Sequence, residues 1–431
     1  MTRGASVVVI GGGWAGCSAA VAAVKAGARV TLLERTDMLL GAGLSGGIMR
    51  NNGRYTAAEE AAAMGAGDLF AITDAHSIHT NVSFPGHEHA SLYDITTIEP
   101  PVRSALEHLG VTVLTQRRII SVRVEGDTVL SVGTADGETW EAGAFVDATG
   151  SAGPMGSCTK HGNGCAMCMF RCPSFGPRQG VTKLAGAREI ALEGPRPAPG
   201  VFSGSCDLIK TSLSREIVSK LDRDGVAVVP LPRSFINKSK LSSKACQQYA
   251  LDAYAENLVV LDNGHAKIMT PYFPLEHLRQ VPGFECARYA EPLAGGKGNS
   301  VRYLSIAERD DTLKVIGLAN LFCCGEKCGP YVGHTEAILT GAVAGRNAAA
   351  AAAGAGLLRL TRNTVTGDLI AVALDERPSA ARFSSTLTFA GGAFFERMKE
   401  RGLYTTDARL IRSRVRSEGL EGVFGRPVTA P

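Results

Sequence analysis

Three glycines near the start of the chain have the spacing that lets a backbone hold a diphosphate. Val7-Val8-Val9-Ile10 is an apolar run of β-type residues, and Gly11-Gly12-Gly13-Trp14-Ala15-Gly16 follows it directly. A run of small, helix-prone residues comes next, then Val30-Thr31-Leu32-Leu33 and the acid Glu34. A lone G-x-G-x-x-G is a weak signal; set between a strand and a helix, with an acid ending the second strand, it gains meaning. Gly11 permits the tight turn, Gly13 lets phosphate approach the backbone, and Gly16 lets helix and strand pack closely. The helix then turns free N–H groups and a positive dipole end toward the phosphates. Glu34 suits a ribose 2′-hydroxyl and repels a 2′-phosphate, which points to FAD or NAD rather than NADP. A glycine-rich turn that binds nothing is the rival reading, and it is weak against the whole fingerprint.

Two distant segments favour FAD. Ala144-Phe145-Val146-Asp147-Ala148-Thr149-Gly150 is a buried-type strand ending in D-A-T-G. Asn320-Leu321-Phe322-Cys323-Cys324-Gly325-Glu326 is a strand ending in Gly-acid, and the small, apolar segment from Gly333 to Ala352 is helix-prone. The acid can hold ribitol hydroxyls, and the second helix can aim its N-terminus at the flavin carbonyl where negative charge gathers on reduction. The expected cofactor contacts are Gly11, Gly13, Ala15, Gly16, Glu34 and Arg35. To these are added Gly43, Ser45 and Gly46 from the loop Gly41–Gly47, and Ala148, Thr149 and Gly150. Gly325, Glu326, Gly333, His334 and Thr335 complete the set. These blocks resemble the two-dinucleotide-fold flavoproteins of the glutathione-reductase type. No second strand–GxGxxG–helix unit follows residue 35, and Gly295-Gly296-Lys297-Gly298 lacks a preceding strand. NAD(P)H would therefore dock transiently, or electrons would arrive by another route.

Cys165-x2-Cys168-x3-Cys172-Pro173, with Cys158 upstream, suggests such a route. The ending is similar to part of the bacterial ferredoxin run, although the first spacing differs. A [4Fe-4S] cluster on Cys158, Cys165, Cys168 and Cys172 is the leading expectation. Zinc, a dithiol that exchanges electrons with flavin, and inert thiols remain alternatives. Cys206, Cys323, Cys324 and Cys328 are further thiols able to replace one ligand, whereas Cys17 faces the sheet as core. His76, His79, His87 and His89 cluster in a polar segment; metal and a solvated or substrate-contacting loop are the competing readings. Arg50-Asn51-Asn52 is either an anion-orienting turn or an exposed one.

The elements that must position these groups read as α/β: a Rossmann-type FAD-binding domain with an inserted β-meander and a smaller inserted substrate domain. Residues 1–155 are the first part of the FAD-binding domain, and 156–309 the Cys-rich loop and substrate domain. Residues 310–360 are the second part of the FAD-binding domain, and 361–431 a basic, helical C-terminal tail. The meander lies at 119–140, with turns at Glu125-Gly126-Asp127 and Asp136-Gly137-Glu138. At 431 residues the chain can bury a large core. Its net charge of +4 neither demands nor excludes nucleic acid. RNA contact through Lys399, Arg412, Arg414 and Arg416 is the minority reading of what is usually a solvated helix face. No signal-like leader or membrane-length apolar run is visible, so a cytoplasmic protein off the membrane is expected, and eleven cysteines then suit reduced thiols.

The C-terminal half narrows the family. Asn320 to Glu326, then Gly333, Glu336, Ala337, Gly341, Ala344, Gly345 and Asn347, resembles the corresponding segment of the tRNA-modifying GidA/MnmG and TrmFO flavoproteins. Gly11 to Cys17, Val281-Pro282-Gly283-Phe284 with Ala287-Arg288-Tyr289, and Arg362 to Leu369 extend the likeness. The resemblance implies the fold and FAD. It also implies folate- and FAD-dependent methylation of uracil in tRNA as an alternative activity. The family's loop cysteine is missing, however: Gly41 to Asn52 holds none, Ser45 sits near its place, and Tyr272 to Gln280 holds none either. Serine is a poor nucleophile without an adjacent base. The expectation is therefore an FAD-dependent oxidoreductase with a small-molecule substrate. An electron-transfer flavoprotein module serving a redox partner protein is the second alternative. The sequence names no substrate and carries no signal of oligomeric state.

Overall fold

A computed structural model describes residues 4–150, 172–192, 201–202, 205–243, 247–270, 273–290, 301–302, 304–375, 382–383 and 386–428. Its centre is a five-stranded parallel sheet. The strands are β1 (Ser6–Ile10), β2 (Arg29–Leu33), β3 (Thr112–Leu114), β4 (Ala144–Asp147) and β5 (Leu321–Cys323), in spatial order β5-β4-β1-β2-β3. Parallel strands covered on both faces read as continuous apolar runs, which is why Val7 to Ile10 and Phe145-Val146 show no alternation. The meander joins β3 to β4 as three antiparallel strands, Ile119–Glu125, Thr128–Thr134 and Thr139–Glu141. Its two turns place Gly126 and Gly137 at φ +60° and +90°. Asn320, just before β5, both donates to and accepts from the backbone of Val129, tying the meander to the sheet.

Helices α1 (Trp14–Lys25) and α3 (His334–Ala352) pack on each other and on the sheet; α2 (Gly53–Ala63) lies between them in sequence. The crossing of α1 and α3 is close because two positions lack a Cβ. A Cβ on Gly341 would come 2.2 Å from the Ala15 carbonyl oxygen, and one on Gly345 2.0 Å from that of Ala19. Ser18 Oγ fills the same gap by donating to Ile338 O at 2.6 Å.

The inserted domain is an antiparallel sheet of Cys206–Leu208, Ala266–Ile268, Asn257–Asp262 and Val226–Pro230. Leu258 and Val260 point into a core with Leu221 and Phe284. Val259 and Leu261 point the other way, into a core with Val82, Phe84 and Leu92. Alternating side chains thus serve two cores, and the uninterrupted run Leu258–Leu261 follows. The second core belongs to the hairpin Ser77–Phe84 and His87–Tyr93, so the His-rich segment is structured rather than a solvated loop.

The C-terminal residues are not a tail. Helices α4 (Val365–Asp375), α5 (Gly392–Glu400) and α6 (Ala408–Ser417) contribute Leu369, Phe394, Met398 and Val415 to the main core. Two of their basic residues reach inward: Arg397 makes two bonds, 2.7 and 2.8 Å, to the buried Asp368, and Arg414 Nε donates to buried Glu60 at 2.9 Å. Lys399 pairs with Glu396 and Arg416 with Glu421. Those two pairs are exposed, as is Arg412, so most of the basic run lies on solvated helix faces.

Two outcomes follow. Gly345→Ala should lower stability by about 3 kcal/mol or more, read by urea titration, since backbone on both helices must move apart. Burial raises Glu60, against the pull of Arg414, to about 7 from the usual carboxylate range. The native state then binds more protons than the unfolded chain between about pH 4.5 and 7, so stability should fall as pH rises through that window. Thermal melts at pH 5 and pH 8 check this, and Glu60→Gln should flatten the difference.

Candidate functional site

One cavity of about 490 Å³ opens where β1, β4 and β5 end and where α1 and α3 begin. Open parallel sheets bind ligands beyond the carboxyl ends of their strands, and this one is built for it. Gly11 takes φ +101°, and a Cβ there would lie 2.5 Å from Ala148 O, so the turn needs glycine. Gly13 differs. Its φ is an ordinary −67°, and a Cβ would meet nothing nearer than Leu40 O at 4.0 Å. The space over Gly13 belongs to the cavity, as a backbone that receives a diphosphate requires. The first turn of α1 adds N–H groups with no partner inside the helix.

Of the cofactor contacts expected from sequence, Gly11, Gly13, Ala15, Glu34 and Arg35 line this cavity. So do Gly43, Ser45, Gly46, Ala148, Thr149, Gly150, Gly325, Glu326, Gly333 and His334. Gly16 and Thr335 do not. A Cβ on Gly16 would sit 1.8 Å from Gly11 O, so its part is the packing of α1 on the turn. Thr335 is fully buried, with Oγ1 toward Met49 Sδ at 3.8 Å; one helical step turns it away from the site. Glu34 Oε2 accepts from Gly12 N at 2.7 Å and Oε1 from Thr36 N at 2.8 Å, which orients the carboxylate at the cavity edge. Asp147 ends β4 fully buried, accepting from Thr149 and Thr182, and so joins the D-A-T-G turn to the short helix Val181–Leu184.

Trp14, Tyr93 and His334 hold the glycine loop. Trp14 and Tyr93 rings meet edge-on at 5.9 Å. Tyr93 OH donates to Gly43 O at 2.7 Å, and burial keeps that phenol protonated. Gly46 lies flat against His334, where a Cβ would come 1.7 Å from the ring. Gly333, at φ +144°, starts α3 with its space occupied by Arg54 and Glu336.

A model of the family described as glucose inhibited division protein A, GIDA, matches residues 6–272 and 252–356. The chain belongs to the GidA family. The GidA proteins are FAD-binding flavoproteins, and this chain's cavity fits that cofactor at the open backbone of Gly13. Solved structures agree on the fold. Aquifex aeolicus GidA in its form II crystal is 16% identical, over 99% of this chain and 73% of that one, with TM-score 0.69. Its form I crystal gives 16% identity over 96% and 79%, with TM-score 0.62.

In this GidA-family chain Cys158, Cys165 and Cys168 lie outside the described residues, as does the side chain of Cys172. Among the described residues no group of three or more His, Cys, Asp or Glu is placed to hold a metal. Cys323, Cys324 and Cys328 are buried near one another, and Cys324 lines the cavity. Burial pushes all three thiols up, Cys328 to about 11, so they stay protonated. Cys206 sits apart in the inserted sheet. The histidines do not converge. His87 is buried against Asn51 and Gln248, while His89, at φ +62°, faces Asn81. Arg50 is committed to Asp74 and Glu59, which ends its candidacy as an anion guide.

Sequence reading missed two groups. Arg117, Arg118 and Arg178 line the cavity beside Arg35 and Glu34. Ser205, Asp207, Gln248, Tyr249, His265 and Lys267 line its opposite side from the inserted domain. Neither set has a motif, since each is gathered from separate segments. Gly13→Val should fold with a normal melt, because no backbone strain opposes it, yet purify without FAD; absorbance of the purified variant reads this directly.

Proposed function

We propose that this protein is an FAD-dependent oxidoreductase whose substrate is a small molecule. The observation that carries the reading is the convergence of two helix N-termini, those of α1 and α3, on one cavity with an open glycine backbone. When bound, FAD supplies two-electron chemistry. The chain's own part is to hold and tune it. Gly11 and Gly13 receive the diphosphate, and Glu34 the ribose. The N-terminus of α3, at His334, presents a positive dipole end where the ring would gather negative charge. The inserted domain roofs the cavity and excludes water from the ring.

Folate-dependent methylation of tRNA is not expected. Ser45 Oγ donates to Ala42 O at 3.1 Å, so the hydroxyl in the family's cysteine loop is engaged with backbone rather than with a base. The cysteine set Cys158, Cys165, Cys168 and Cys172 is proposed as the ligands of an iron–sulfur cluster passing electrons to the flavin. The support is the sequence spacing alone. NAD(P)H as a transient donor is the other source of electrons, and a partner-serving electron-transfer module would differ in turning over no small molecule by itself.

Protein purified without oxygen tests both levels. Flavin absorbance with stoichiometric FAD is expected, and its absence from well-folded protein would end the flavoprotein reading. In Cys168→Ser, iron and sulfide should fall together while FAD stays. Wild-type protein with neither iron nor zinc would leave a dithiol or inert thiols.

A further inference from the structure

The inserted sheet turns a buried carboxylate toward the cavity. Cys206 and Leu208 point into one core of the inserted domain, as do Ala266 and Ile268 on the paired strand. Side chains alternate along a strand, so Asp207, between the first two, projects from the opposite face. Ser205, His265 and Lys267 share that face, and all four residues line the cavity.

Asp207 is 7% exposed. Its Oδ1 accepts from Asn263 Nδ2 at 3.3 Å. Among the described residues no other side chain bonds to the carboxylate, and no cation lies within ion-pair distance of it. Oδ2 is therefore without a partner there, yet it keeps accessible surface. Lys267, directly across the strand pair, does not supply the missing cation; its ammonium donates instead to Ser45 O and Ser205 Oγ.

The carboxylate is also held in place. Asn263 is fully buried, and its Oδ1 accepts from His265 N at 3.2 Å. Its carbonyl accepts from Ile95 N at 3.0 Å. A Cβ on Gly47 would come 2.5 Å from the Asn263 Cβ. The hairpin tip that orients Asp207 thus rests on the end of the glycine loop.

A buried carboxylate calls for a partner that carries positive charge and donates hydrogen bonds. A hard metal ion takes about six or more oxygen ligands, which one carboxylate does not supply. Leu44, Ile48, Ile95 and Met269 line the same cavity, so the cation that fits carries an apolar body.

We infer that the inserted domain seats a small primary amine with an apolar body, its ammonium donating to Asp207 Oδ2. The inference rests on the flavoprotein reading above and adds the class of ligand that the substrate site takes.

Calorimetric titration with benzylamine near neutral pH tests it. Bound FAD is measured first, so failure of the cofactor reading shows itself separately from failure of the amine site. Benzyl alcohol keeps the ring and loses the charge, and benzoate reverses the charge. Benzylamine should bind saturably, at least about tenfold tighter than either control. Asp207→Asn keeps the shape of the side chain and an oxygen for Asn263. It should bring benzylamine down to the benzyl alcohol level while FAD content and melting temperature hold. Flavin-loaded protein that does not bind benzylamine, or binds benzyl alcohol equally well, overturns the inference. Benzoate binding tighter than benzylamine overturns it too, since Lys267 would then be the charge on offer. So does a folded Asp207→Asn variant that keeps the preference for the amine. The order of the three ligands on the unaltered protein decides the matter even if that variant fails to fold.

Discussion

Arg54 and Glu336 are buried together, and the cavity is arranged around them. Arg54 Nε lies 3.1 Å from Glu336 Oε2, with side-chain exposures of 4% and 0%. Two charges out of water need further hydrogen bonds, and both have them. Arg54 also donates to Asn51 Oδ1, Val332 O and Thr388 Oγ1. Glu336 Oε1 accepts from Thr388 Oγ1 and Phe389 N. One ion pair therefore joins α2, the first turn of α3 and the segment at 387–390. The N-terminus of α3 cannot drift from the cavity without stranding a buried charge.

The glycine crossing of α1 and α3 does the complementary work. Close approach at Gly341 and Gly345 fixes the distance between two helices whose first turns face the same space. Their dipoles add there because the backbones are held in register, not because any side chain carries charge. The same tight packing explains the thiols. Cys17, Cys323, Cys324 and Cys328 are buried, and burial keeps their thiols protonated.

The inserted domain stands opposite in character. Its sheet faces the cavity with polar residues while both of its own cores lie elsewhere. The central sheet thus offers the cavity mainly backbone, and the inserted domain a wall of side chains.

What the sequence determined by itself is local. Strand–turn–helix order, the tight turn at Gly11 with Gly16 packed on it, the D-A-T-G and Gly-acid turns, and the meander's tight turns all depend on neighbours a few residues apart. Backbone conformation and hydrophobic period fix those without reference to the rest of the chain. Tertiary structure decided everything that required distant segments to meet. It turned Thr335 inward and kept His334 at the cavity. It turned Arg397 and Arg414 inward to buried Asp368 and Glu60, and committed Arg50 to Asp74 and Glu59. It brought Gln248 and Lys267, which no motif marks, into the wall facing the glycine loop. A side chain's role follows from its partners, and for these residues the partners are supplied by folding rather than by spacing along the chain.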